Sequence, residues 1–262
     1  MKRILPLLMI LAAAALVAQL PKPGGSGGAA SVDISCTPAS YATITGGTAT
    51  AGKVCATTDS LYTLIGNGST WAHYYLGTAM TAPPTASWSW DNQGTGTETQ
   101  AGGYLYLLAP AAAGGNTRVR YRTSPSAPWT LTACIIPAMV NLSNQQVGIG
   151  VRGSAAGKLY LFGPAATATA NLMQVVKMTN STTWSSTPYS QAVTLQNRPV
   201  WLRIQDNNTN LLMSFSNDGL NFTQVYSETR AAFLTPDQLI YFSDTQSTSL
   251  SAANTLLSWK VE

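Results

Sequence analysis

Short strand signals recur from Trp88 to the end of the chain, and they constrain the fold more than any other feature of the sequence. About eleven apolar or aromatic runs, such as GGYLYLLAP, QVGIGVRG and KLYLFGP, are separated by Gly, Asn and Pro. No stretch with the periodicity of an amphipathic helix follows residue 31. The pattern predicts an all-β chain with a two-sheet sandwich or jelly roll.

The composition agrees with strands and excludes some classes of partner. Charged residues are 9% of the chain, apolar residues are 45%, and there are seven Trp. A chain this apolar is not disordered. The net charge is +4, and the basic residues beyond the N-terminus are dispersed along the sequence, apart from Arg118, Arg120 and Arg122. Because binding to a phosphate backbone needs clustered cations, we expect no nucleic-acid partner.

The alternation in Arg118 to Arg122 places these arginines on one strand face and Val119 and Tyr121 on the other. The arginine face could meet an acidic glycan. It could equally be a solvated strand face that discourages edge-to-edge aggregation. The pattern does not distinguish these two interpretations.

Shifts in composition divide the chain into five segments. Residues 1–20 are apolar, and residues 21–31 form a linker rich in Gly, Pro and Ser. Residues 32–78 contain short strand signals around a hairpin turn at Asn67-Gly68, which predicts a small β-hairpin module. Residues 79–87 form a second linker, and residues 88–262 form the sandwich.

The apolar N-terminal segment has two interpretations. Lys2 and Arg3 precede the apolar run from Ile4 to Leu20, as in a cleaved secretion signal. The alternative is an apolar N-terminal helix that is retained and anchors the protein or joins copies of it.

The strand order from Trp88 onward resembles the concanavalin A-like lectin/glucanase superfamily, the jelly-roll group that includes laminin-G-like domains. The resemblance is carried mainly by Val200 to Tyr226 (VWLRIQDNNTNLLMSFSNDGLNFTQVY) and by the closing strand LLSWKVE. It covers about two-thirds of the chain. It implies a concanavalin A-like sandwich. The resemblance says little about function, because this superfamily includes lectins, hydrolases and spacers.

A second resemblance concerns residues 41–77. The runs Gly52 to Val54, Thr58 to Tyr62 and Asn67 to Trp71 resemble a small β-module of bacteriophage tail fibres and other virion appendages. It implies a virion structural protein (tail fibre, spike or capsid-surface appendage) that attaches to a host-surface glycan. Its other partners would be virion proteins or copies of itself, and a trimer is one form that such a homo-oligomer could take. The alternative is an exported bacterial carbohydrate-binding or adhesion protein, secreted or periplasmic.

Carboxylates are scarce, and we therefore expect the chain not to be an enzyme. Catalysis in the glucanases of the superfamily that this chain resembles depends on two glutamates close together on one strand. The glutamates here are Glu98, Glu228 and Glu262, which lie far apart in the sequence.

Exposed aromatic side chains are the candidates for a glycan site, because sugars stack their apolar faces on aromatic rings. Trp184 and Tyr189 lie in NSTTWSSTPYSQ, which we interpret as a polar loop where large aromatics are unsuited to a core. Trp129 and Trp90 are the further candidates.

We expect no cofactor, with one candidate for calcium. Asp206 and Asn208 lie in a turn rich in oxygen ligands, although Ca²⁺ usually needs more than one carboxylate. The competing interpretation is an Asn-rich hairpin loop.

The three cysteines leave one unpaired. Cys36 and Cys55 could form a disulfide in an oxidising compartment. Cys134 lies in an apolar strand signal, which predicts a buried thiol.

Overall fold

The computed structural model describes residues 80–262, except for residues 102, 113, 141–143, 194–198 and 247–249. It separates two compact units, the first of which contains most of the N-terminal part. In that part it describes the backbone of four short strands: β1 (Val32–Asp33), β2 (Val54–Ala56), β3 (Tyr62–Gly66) and β4 (Trp71–Tyr75). They form one sheet in this order, in which β1 and β2 are parallel and β2 and β3 antiparallel.

The C-terminal unit is a sandwich of two seven-stranded sheets. Its strands are β5 (Ser89–Asp91), β6 (Thr97–Ala101), β7 (Tyr104–Ala109), β8 (Arg118–Thr123), β9 (Trp129–Ala138), β10 (Gln145–Gly153), β11 (Lys158–Ala166), β12 (Asn171–Asn180), β13 (Thr183–Ala192), β14 (Val200–Asp206), β15 (Asn210–Ser216), β16 (Thr223–Thr229), β17 (Gln238–Asp244) and β18 (Ala252–Val261). Sheet I has the order β13-β12-β11-β10-β17-β8-β5, and sheet II has the order β16-β15-β14-β9-β18-β7-β6. All strand pairs within both sheets are antiparallel.

This architecture confirms the predicted all-β, two-sheet sandwich. Within the described residues there is no helix, and so none that is long and apolar enough to cross a membrane. The sequence signals missed β6 and β13 and merged β15 with β16. The apolar N-terminal helix expected for residues 1–20 lies outside the described residues.

The sandwich has two apolar clusters, one on each face of sheet I. The main cluster fills the space between the sheets and includes Phe162, Tyr241 and Trp259. Residues that alternate with these inward-facing side chains form an outer cluster on the opposite face of sheet I. Its members are nearly inaccessible to solvent: Val119, Leu159, Leu161, Val176, Met178, Ile240 and Phe242.

The outer face of sheet I is concave. Asp91, on the last strand β5, accepts hydrogen bonds from Nε of Arg152 on β10 and from Oγ of Ser181 beyond β12. Only a sheet that curls toward this face brings residues so far apart in strand order into contact. The curl closes the outer cluster from solvent and leaves the other end of the face open.

The arginines of β8 point into the sandwich, so both interpretations of this face were wrong. Val119 and Tyr121 belong to the outer cluster, and the alternating arginines therefore face sheet II. Nε of Arg120 lies 2.8 Å from Oε2 of Glu98 on β6, and the hydroxyl of Tyr241 also donates to that carboxylate. Arg120 is buried where it pairs with Glu98 across the two sheets, and Arg118 is buried with its Nη1 donating to the backbone oxygen of Asn92.

A second carboxylate connects the sheets at their other edge. Glu228 on β16 accepts hydrogen bonds from Nζ of Lys177 at 2.6 Å, from the hydroxyl of Tyr226 at 2.7 Å and from the hydroxyl of Tyr160. Burial alone would raise the pKa of Glu228. The hydrogen bonds from Lys177, Tyr160 and Tyr226 lower it by more, and the net effect is a pKa below the ordinary value.

This bridge should make the sandwich sensitive to acid. Since folding lowers the pKa of Glu228, its stabilisation is fully present above the ordinary value of 4.5 and is lost as the pH falls through the folded-state pKa. We expect Glu228→Gln to flatten the loss of unfolding free energy between about pH 6 and about pH 3, measured by urea denaturation. The control is Glu262→Gln, because Glu262 is 59% exposed. An equal acid slope in wild type and Glu228→Gln would contradict the prediction.

Candidate functional site

The structure separates the four aromatic residues proposed from the sequence. Trp184 is 58% exposed, whereas Trp129 is only 2% exposed and lies in the main cluster. Tyr189 and Trp90 are half-buried against the same cluster, and Trp90 lies under the guanidinium of Arg120. Trp184 alone among the four presents its ring to solvent.

Trp184 lies on an edge strand and not in the loop that the sequence suggested. Strand β13 pairs only with β12, through an irregular register: Trp184 opposes Met178, Ser186 opposes Lys177, and Tyr189 opposes Val175. Strand β13 therefore carries one extra residue at Ser185 and another before Tyr189. Such bulges change which face a side chain occupies.

The first bulge brings Trp184 and Thr187 to the same face. Residues three positions apart point to opposite faces of a regular strand, and the extra residue at Ser185 reverses this parity. The indole Nε1 of Trp184 then donates to Oγ1 of Thr187 at 3.1 Å. The contact orients an exposed ring that would otherwise sample several rotamers.

These two residues form one wall of a groove of about 330 Å³ on the open end of the concave face. Val176 connects the groove to the outer apolar cluster. Most of the remaining lining is polar and uncharged: Asn144, Gln146, Ala165, Thr167, Gln174 and Gln246. None of the described residues that line the groove carries a charge.

Two glutamines form the floor of the groove, Gln146 on β10 and Gln174 on β12, the strands on either side of β11. Gln146 is 2% exposed, and its Nε2 donates to the backbone oxygen of Gln174 at 3.3 Å. Nε2 of Gln174 in turn donates to Oγ of Ser190 on β13 at 3.1 Å. The floor is therefore a set of amides whose orientation the sheet maintains.

A buried carboxylate lies beside this floor. Asp244 on β17 opposes Gln146 in the β10–β17 register and is inaccessible to solvent. Its carboxylate accepts hydrogen bonds from Nε2 of Gln246 and from Oγ1 of Thr117, both at 3.1 Å. Burial raises the pKa of Asp244, and the hydrogen bonds from Gln246 and Thr117 oppose the rise. Asp244 thus fixes the position of Gln246 at the groove.

The amides of the groove were not among the residues predicted from the sequence. One signal was available for Gln174, which interrupts the apolar strand NLMQVVKMT. Gln146 opens the apolar run QVGIGVRG, where a polar residue ordinarily marks a strand end. Gln146, Gln174 and Trp184 belong to β10, β12 and β13, and only the order of strands in sheet I brings them together.

The turn proposed for calcium is a hairpin between β14 and β15. Both carboxylate oxygens of Asp206 are engaged, one by the backbone amide of Asn208 at 3.0 Å and one by Nε of Arg230 at 2.7 Å. Oδ1 of Asn207 accepts hydrogen bonds from the backbone amides of Thr209 and Asn210, as expected for an Asn-rich hairpin loop. No group of three or more His, Cys, Asp or Glu side chains arranged for a metal occurs among the described residues.

Cys134 is buried and free, as predicted. Burial raises the pKa of its thiol to about 12, so the thiolate needed for reactivity is scarce at neutral pH. The proposed bridge between Cys36 and Cys55 falls on side chains outside the described residues.

Comparison with known proteins shows the fold but no family. No protein-family model matches the sequence, and no curated protein sequence is similar to it. The structure is similar to that of a functionally unknown protein from Saccharomyces cerevisiae (17% identity, TM-score 0.53), with 67% of this chain covering 96% of that one.

Two further solved structures are similar to this chain at TM-scores of 0.51 and 0.50. One is the GH43B protein of the Bacteroides ovatus xyloglucan PUL (10% identity, TM-score 0.51), where 75% of this chain covers 43% of that chain. The other belongs to a study of endo-acting O-glycanases of human gut microbiota (10% identity, TM-score 0.50), with coverages of 70% and 94%. These similarities confirm the jelly-roll sandwich expected from the concanavalin A-like resemblance.

The comparison with GH43B overturns the expectation that the chain is not an enzyme. A similar sandwich forms part of that glycoside hydrolase chain, and this chain covers 43% of it. The fold is therefore shared with enzymes. The resemblance of residues 41–77 to virion modules rests on side chains outside the described residues.

Proposed function

We propose that the sandwich binds a carbohydrate in the groove beside Trp184. The observation that carries this proposal is the combination of an exposed, oriented indole with a wall and floor of uncharged amides and hydroxyls. An aromatic ring offers an apolar surface to the C–H face of a pyranose. The amides of Asn144, Gln146 and Gln174 are suited to its hydroxyls, because each amide carries both donors and acceptors.

The position of Trp184 supports a binding role over a structural one. A large aromatic side chain that is 58% exposed contributes little to the core, and here it faces a concave surface. Its hydrogen bond to Thr187 fixes the ring before a ligand arrives, which lowers the entropic cost of binding.

We expect Trp184→Ala to weaken saccharide binding by at least about 30-fold, since buried aromatic anchors dominate binding energies. The full-length protein is first screened on an array of neutral and acidic oligosaccharides, and the strongest ligand is then titrated by calorimetry. The matched control is Tyr104→Ala, which removes an exposed aromatic from β7 of sheet II. Unchanged affinity in Trp184→Ala, or an equal loss in Tyr104→Ala, would place the site elsewhere.

The biological setting that the sequence motifs favour is the surface of a bacteriophage virion. There the sandwich would attach a tail fibre, spike or capsid appendage to a cell-surface glycan, and the N-terminal part would join virion proteins or copies of itself. The support is the β-module resemblance of residues 41–77, in which the backbone forms part of a four-stranded sheet. The alternative is an exported bacterial carbohydrate-binding or adhesion protein.

Intact-mass measurement of the native protein separates these two settings. A virion component should retain Met1 to Leu20 in purified particles. An exported protein should lack this segment.

A further inference from the structure

A buried amide at the floor of the groove has an acceptor that no described residue uses. Gln146 is 98% buried by residue area, yet it lines the groove. Its Nε2 donates to the backbone oxygen of Gln174, and its Oε1 accepts no hydrogen bond from the described residues. Oε1 is not among the described side-chain atoms that are fully buried without a partner, so it is open to the groove and available to a ligand donor.

The charge distribution around this acceptor disfavours anions. The described lining residues include no Lys, Arg or His that could neutralise an acidic ligand. The carboxyl group of Asp244 lies on the same face of the sheet as Gln146, directly opposite it in register. A ligand carboxylate would therefore lose its hydration without gaining a cation, which costs free energy.

We propose that the groove selects uncharged saccharides, because its lining carries no cation and Asp244 lies beside it, and that Gln146 binds them by accepting a hydrogen bond from a sugar hydroxyl at Oε1. This inference rests on the proposed carbohydrate binding and specifies the ligand class of that site. Trp184 provides a stacking surface for many sugars, because most pyranoses have an apolar face. Gln146 provides the directional contact, since the hydrogen bond from its Nε2 to the backbone oxygen of Gln174 orients Oε1.

The test compares neutral oligosaccharides of glucose and galactose with their uronic acid counterparts, which differ by a carboxylate. We expect the full-length protein to bind the neutral member of a pair at least about ten-fold more tightly. Gln146→Leu should weaken neutral binding by about 3- to 10-fold, the range for one hydrogen bond. Gln146→Glu should weaken it further, because a buried carboxylate replaces the amide. Gln224→Leu is the matched control, being an exposed glutamine on β16 of sheet II.

The outcomes separate this inference from the proposed function. If no saccharide of either class binds, carbohydrate binding itself fails. If neutral and acidic members bind equally, the proposed function stands and the selection is overturned. If wild type selects neutral sugars but Gln146→Leu, with an unchanged melting temperature, binds as wild type does, the role of Gln146 is overturned. Should both Gln146 variants fail to fold, the neutral-to-acidic ratio of the wild type still decides the selection.

Discussion

Replacing Trp129 by alanine is expected to lower the free energy of unfolding by about 3–5 kcal/mol, the usual cost of deleting a large buried aromatic. Trp129 is 2% exposed and lies in the main cluster between the sheets. Trp129→Phe should cost less, because it retains most of the apolar volume and removes an indole Nε1 that has no hydrogen-bond partner in the described structure.

The measurement is urea denaturation followed by tryptophan fluorescence or circular dichroism. Trp184→Ala is the control, and its unfolding free energy should stay within about 0.5 kcal/mol of wild type. The two tryptophans should thus show opposite behaviour, one affecting stability and the other affecting binding. If Trp129→Ala kept full stability and lost saccharide binding, Trp129 would belong to the ligand site after all.

Replacing Arg120 by methionine is expected to destabilise the sandwich by about 3–5 kcal/mol, because a buried carboxylate loses its compensating charge. The side chains of Arg120 and Glu98 are 11% and 7% exposed. The hydroxyl of Tyr241 still donates to Glu98 in the variant, but it carries no charge. The double variant Arg120→Met, Glu98→Gln should recover much of the loss, since no buried charge is then left without a partner.

Lys260→Met is the matched control for this prediction. It breaks an ion pair with Glu262 in which the two side chains are 52% and 59% exposed, and such pairs contribute about 0–1 kcal/mol. Denaturation midpoints of the four proteins are compared under the same conditions. Equal losses in Arg120→Met and Lys260→Met would show that the Arg120–Glu98 pair contributes no more than a surface pair.

The candidate site was only partly predictable. The polar sequence around Trp184 correctly marked it as an exposed aromatic, although it lies on a strand and not in a loop. Pro188 and the absence of alternation concealed β13, because its two bulges interrupt the period of two by which strands are recognised. Gln146 and Gln174 were missed because the sequence pattern does not show that β10 to β13 lie side by side with these side chains on one face.

The sequence by itself determined the fold class, the strand character of most of residues 88–262, the burial of Cys134 and the shared face of the three arginines of β8. These properties depend on local periodicity and composition, which any single strand displays. Tertiary structure alone decided that the arginine face meets Glu98 and Tyr241 between the sheets, that Trp129 is core, and that the amides of β10 and β12 share a groove with Trp184. The physical reason is that strand alternation defines two faces without saying which is buried, and that choice depends on strand order, sheet curvature and the parity changes that bulges introduce.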